Sequence, residues 1–222
     1  MKVISRISLI DNEVVAGLRF ATILALIFHK SPRKGGNMEF TNLITDLYKY
    51  NTGYLIKHIT PMDKSRLFVR PQHNLNPIVW ILGHIVVSRA SMVEMLGDEI
   101  DMTTYSQLFG TGAKPLNDPS DYPHIDEIMG KLGRLGARLT RLLDEGGETL
   151  LNRQVWGAYD SIGKYVVNGY IHETYHIGQI TYLITMIDKL NSARTSLKLA
   201  TKKKNGTGKL LFSSLKSVLT VK

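Results

Sequence analysis

The sequence predicts an all-α protein, a four-helix bundle with long connections between its helices. Four stretches between Thr41 and Leu190 place apolar residues at i, i+3, i+4 and i+7, the pattern of helices that each bury one stripe. No run rich in Val, Ile and Thr alternates with polar residues between tight turns, so no sheet is expected. About 150 residues are enough for one packed core, and a bundle is the economical way to bury four stripes together.

The first helix starts at Thr41 or Asn42, either of which can cap it. It carries Leu43, Ile44, Leu47, Tyr50, Tyr54, Leu55 and Ile59 on its stripe and ends at Thr60-Pro61. Residues 62–75 form an irregular, basic connection. Asn76-Pro77 then supplies a cap followed by proline at the first helical position, and the second helix runs to a stop at Gly97. Residues 98–122 are rich in Asp, Thr, Gly and Pro without a sustained period, which predicts a long loop with at most a turn of helix. Loops of that length in compact domains are usually functional or mobile. Asp121 and Pro123 open the third helix, striped by Ile125, Ile128, Met129, Leu132, Leu135, Leu139 and Leu142 and closed at Gly146-Gly147. Its Gly130, Gly133 and Gly136 each cost roughly 1 kcal/mol relative to alanine, and are expected to mark close helix approach. Residues 148–160, with Trp156 and Tyr159, lead to a fourth helix that Asp160 or Ser161 can cap.

Charge separates the ends from the middle. The formal net charge is +9, yet residues 1–37 carry six Lys/Arg against two acids and residues 191–222 carry eight against none. Subtracting both from 28 and 19 leaves 14 basic and 17 acidic residues in 38–190, a net of −3. That slightly acidic core, without a basic face on any helix, argues against nucleic acid as its partner. Residues 1–37 are expected to be an appendage. Val14 to Phe28 is apolar but contains Arg19, is too short to span a bilayer, and leads into Phe28-His29-Lys30 rather than a small-residue cleavage site. A weak signal or anchor is one reading. The other is a translated leader, because codons for Lys34-Gly35-Gly36 can hold a purine-rich ribosome-binding sequence just ahead of Met38 as the natural start. Residues 191–222 are expected to form a basic, flexible tail, with a membrane- or nucleic-acid-binding amphipathic tail as the alternative.

The absence of cysteine removes disulfides, thiolate ligands and a cysteine nucleophile, so metal chemistry must use histidine and carboxylate. On the fourth helix the stripe is Ile162, Val166, Gly169, Ile177, Ile180, Leu183, Ile184 and Ile187. His172 and His176 lie at its edge, one turn apart, so that both rings can reach one metal ion. Spacing alone equally allows hydrogen-bonded core histidines. Glu173 projects near the stripe's centre, where an unpaired carboxylate is costly and needs a ligand histidine, a helix terminus or a metal water as partner. The string His-Glu-x-x-His suggests a zinc protease with Glu173 as base. That reading fails downstream: no histidine or glutamate follows His176, and Asp188 lies about 18 Å further along the helix. Gln179 and Tyr182 occupy the positions where the longer protease signature needs Gly and His. A third ligand must therefore come from upstream. His84, on a face with Trp80, Ile81, Ile85, Ser88, Met92 and Met95, is the candidate, with a buried histidine bonded to a backbone carbonyl as its alternative.

Three segments carry a resemblance: Asn76-Pro77-Ile78-Val79-Trp80-Ile81-Leu82-Gly83-His84-Ile85, Leu108-Phe109-Gly110-Thr111-Gly112, and His172-Glu173-Thr174-Tyr175-His176-Ile177-Gly178-Gln179-Ile180. Over about 38–190 the chain resembles the DinB-like superfamily of bacterial metal-binding four-helix bundles. The resemblance implies a divalent metal, zinc or nickel, held by His84, His172 and His176. It also implies a homodimer and an activity such as that of relatives that transfer or isomerise with a small thiol: bacillithiol, mycothiol or glutathione. The corresponding expectation is a cytoplasmic, metal-dependent thiol S-transferase or related detoxification enzyme acting on a small molecule, without stable membrane insertion. The alternative is a non-catalytic metal- or ligand-binding stress-response protein. Three histidines leave an open position on a metal, as catalytic sites do. Glu173 is expected to orient a ligand imidazole or to act as base, and Trp80, Ser88, Tyr175 and Gln179 to line a substrate pocket roofed by 98–122.

Overall fold

The computed structural model describes residues 39–155, 157 and 159–205. The expectations for residues 1–37, for Trp156 and for 206–222 fall outside the described residues. The described part is all-helical: α1 Phe40–Ile59, α2 Ile78–Met95, α3 Thr103–Phe109, α4 Ile125–Leu151 and α5 Ile162–Asn205. Among the described residues the only β-type pairing is an isolated bridge between Gln154 and Ser161.

Four long helices form the bundle, and the order around it is α1, α4, α2, α5. Helices α1 and α2, consecutive in the chain, lie diagonally and scarcely touch; α4 packs on both. This explains the length of the first connection, which must cross the bundle's end. It is anchored by a 3-10 turn at Lys64–Phe68, whose Leu67 is 1 % exposed. Asp63 caps that turn by accepting from the Ser65 backbone N–H and hydroxyl at 2.9 Å, bonds that hold its carboxyl below the usual range.

Several boundaries differ from expectation for local reasons. Helix α1 begins one residue ahead of Thr41, which instead donates its N–H and hydroxyl to Glu148 Oε1 of α4 at 3.1 Å each. A carboxylate from another helix thus satisfies an N-terminal donor. Helix α2 is capped by Pro77 rather than Asn76, and α4 by His124, one residue past Pro123, with Asp126 and Glu127 in its first turn. Helix α4 does not close at Gly146-Gly147. Gly147 adopts φ 54°, ψ −157°, a conformation nearly confined to glycine, and a further helical turn ends at the buried Leu151. Within 98–122 the structure has more than one turn of helix, since α3 spans seven residues. Tyr105 and Phe109, four apart, are both buried and hold α3 on α2. The Ser161 hydroxyl accepts from the Lys164 N–H at 3.3 Å and caps α5.

Helix α2 is the centre of the core. Ile78 to Val86 are all buried, without the polar face of a surface helix. Its hydropathy would pass for a membrane span, but 72 % of that window is buried within the bundle. At the other extreme α5 runs through Leu190 to Asn205, and every side chain from Asp188 to Lys198 is exposed. The helix outlasts the core that its first half packs against.

Candidate metal centre

Helices α2 and α5 are neighbours in the bundle, and this adjacency brings His84 to His172 and His176. One nitrogen from each ring lies within 4.8 Å of the others. The Nε2 atoms of His84 and His172 are 3.3 Å apart, and those of His176 and His172 are 3.1 Å apart. His84 and His176 are each 8 % exposed and His172 is half-buried.

The outer nitrogens decide what the inner ones can do. His84 Nδ1 meets the Phe109 carbonyl at 2.7 Å; a carbonyl only accepts, so Nδ1 carries the proton and Nε2 a lone pair. His176 Nδ1 likewise donates to Gln179 Oε1 at 2.8 Å, leaving its Nε2 as an acceptor. His172 Nδ1 lies 3.4 Å from the Ser88 hydroxyl, which accommodates either tautomer. Lone pairs converging at this distance repel unless a cation or a proton sits among them. Four-coordinate zinc with nitrogens at about 2.0–2.1 Å needs nitrogen pairs about 3.3 Å apart, so the donor set fits a divalent ion.

Burial lowers the pKa of His176 to about 4, with the two neighbouring histidines adding to the effect and the Gln179 bond opposing it. Burial, then His84, also lowers His172, and Glu173 opposes that shift. Both rings are therefore neutral at physiological pH, the form that binds metal.

Glu173 does not orient an imidazole. It is 1 % exposed, and both oxygens are held by Arg89 of α2, Oε2 from Nε and Oε1 from Nη2, at 2.7 Å each. The orienting role falls to the Phe109 carbonyl, Gln179 and Ser88. Forked to Arg89 and almost wholly buried, Glu173 is poorly placed to act as a base. Of the four expected pocket residues, Trp80 stacks on His84 with centroids 5.2 Å apart and planes 10° apart. Ser88 and Gln179 touch His172 and His176. Tyr175 is exposed, its ring edge-on to His176 at 5.3 Å. Instead of roofing the cluster, the 98–122 segment supplies Phe109, wholly buried beside it. A cleft of about 520 Å³ runs along α2 and α3 past Val87, Ser91 and Ser106, and one of about 480 Å³ lies between Phe40, Leu151 and Ile171. Neither is lined by a histidine of the cluster.

Sequence reasoning missed Arg89, Phe109 and Gly83. A Cβ at Gly83 would stand 2.4 Å from the Phe109 ring, so this glycine admits the residue whose carbonyl holds the next side chain, His84. Arg89 did leave a signal. It and Glu94 are the only charged residues of α2, Glu173 is the only charged residue between Lys164 and Asp188 of α5, and a charge on a buried face needs a partner of opposite sign.

A helical bundle with three inward histidines from two adjacent helices defines a class of protein able to hold a divalent metal at its core. The family model of the DinB superfamily matches residues 48–180, and the chain belongs to that superfamily. Two solved structures align with the chain. A conserved protein from Enterococcus faecalis aligns with TM-score 0.54 and 14 % identity, over 68 % of this chain and 99 % of its own. YfiT from Bacillus subtilis, described as a probable metal-dependent hydrolase with an unusual four-helix bundle topology, aligns with TM-score 0.47 and 18 % identity, over 69 % and 90 %. No curated protein matches the chain.

Proposed function

We propose that His84, His172 and His176 hold a divalent metal ion, zinc or nickel, and that the protein is a metal-dependent thiol S-transferase or related detoxification enzyme. The observation that supports the metal is the convergence of three Nε2 atoms at 3.1 and 3.3 Å, two of them with their Nδ1 protons tied to fixed acceptors. When bound, the ion supplies Lewis acidity that lowers the pKa of a small thiol at its open position. The chain's own residues do the rest. Phe109 and Gln179 keep two imidazoles in the metal-binding tautomer, and Trp80 seals His84 from water. The half-buried His172 and exposed Tyr175 mark the side from which thiol and electrophile approach.

One observation favours a second reading, a non-catalytic metal- or ligand-binding stress protein: the clefts along α2–α3 and beside Phe40 do not include the histidines. Elemental analysis of the purified protein, joined to conjugation assays with several small thiols and a generic electrophile, separates the two. Turnover abolished by chelator supports the enzyme; stoichiometric metal without turnover supports the second reading; no metal removes both. We further propose a cytoplasmic location and a homodimer, the latter supported by the exposed Ile171 and Tyr182 on the outer face of α5. Sedimentation of the full chain as a monomer would remove the dimer.

A further inference from the structure

The Arg89–Glu173 pair is not accounted for by metal ligation or by stability. Both side chains are at most 2 % exposed. Each bond of the fork is 2.7 Å, and the remaining guanidinium nitrogen donates to the Leu132 carbonyl of α4 at 2.9 Å. The fold makes room for it: a Cβ at Gly136 would stand 2.7 Å from Arg89 Nη1. A buried ion pair is generally no more stabilising than well-packed apolar residues of the same volume. Its position suggests a different use. Glu173 follows His172 in the chain and lies one helical turn, three residues, before His176, and a carboxylate is itself a good ligand for a divalent ion. It is the only carboxylate of α5 ahead of Asp188, so, unrestrained, it is the one this helix could offer to complete the three-histidine set and close it. Arg89 occupies both of its oxygens in a fork that a point charge could not reproduce.

We infer that Arg89 is a positioning residue that holds Glu173 out of the coordination set, and so keeps one position available to an external ligand. This rests on the metal reading above and adds to it that the site is held open. The site takes small anionic donors such as thiolates because its own carboxylate is withheld.

The test uses the full chain, stripped with chelator and refilled with cobalt(II), whose visible spectrum reports coordination number and ligand type. Stoichiometric cobalt in the wild type, lost in His176→Ala, is measured first; if the wild type takes up no cobalt, the metal reading itself has failed. 2-Mercaptoethanol is then titrated against each cobalt protein. The wild type is expected to develop a thiolate-to-cobalt charge-transfer band. Arg89→Met should keep cobalt but require about tenfold more thiol for the same band, the usual scale for loss of a residue behind a ligand. Arg89→Met/Glu173→Leu, which removes both charges, should return to the wild-type response. If Arg89→Met does not fold, Arg89→Lys carries the same test, since lysine leaves one carboxylate oxygen free, and it too should need more thiol. A folded Arg89 variant that responds at the wild-type thiol concentration, or a double variant no better than Arg89→Met, would overturn the inference.

Discussion

His84, His172 and His176 are set by their outer nitrogens as much as by their inner ones. Replacing His172 or His176 with alanine is expected to abolish stoichiometric metal and to lower the Tm in metal-replete buffer, because an ion bound only to the folded state stabilises it. Unchanged metal content and melting would refute the ligand assignment. A second prediction concerns pH in the metal-stripped protein. The folded pKa of His176 is about 4 and the unfolded value about 6.5, so between them the unfolded chain binds more protons. Stability is therefore greatest above about 6.5 and is lost as pH falls toward 4, with His172 acting in the same direction. Chemical denaturation across that range should show the decline, and His176→Ala should flatten it. Gly83→Ala is predicted to cost about 1–3 kcal/mol by overpacking against Phe109, and to weaken metal binding by displacing the carbonyl that holds His84.

At the scale of elements, Arg89 and Glu173 link α2, α4 and α5 through buried hydrogen bonds. Arg89→Met is predicted to destabilise by about 3–5 kcal/mol, because it leaves a carboxylate buried without a partner, whereas Arg89→Met/Glu173→Leu is predicted to be close to neutral. Urea denaturation of both variants checks this, and equal losses would contradict it. Element existence was legible in the sequence and element edges less so. The stripes of α1, α4 and α5 follow from apolar spacing, which survives folding because it is what folding buries, whereas α2 is buried on every side rather than along one stripe. The start of α1 differs because its partner is distant in sequence: Thr41 binds Glu148 of another helix, which no local pattern reveals. Helix α3 exceeds the single turn expected in 98–122, where Tyr105 and Phe109 are too few to make a period.

At the scale of the whole molecule, α5 continues to Asn205 with no burial from Asp188 to Lys198, so the expected boundary at 190 marks the end of packing rather than of helix. Removing 198–222 is predicted to leave metal content and Tm unchanged; loss of metal on truncation would show that the tail supports the site. By itself the sequence determined the helical class, the two histidines one turn apart, the third on α2 and the restriction to nitrogen and oxygen ligands. These depend on residue type and on the fixed 3.6-residue turn. Only the tertiary structure decided that α1 and α2 lie diagonally, that α2 meets α5, and that Glu173 is held by Arg89 rather than by an imidazole. Those outcomes depend on which buried faces meet across the bundle, and helical periodicity carries no record of its partner.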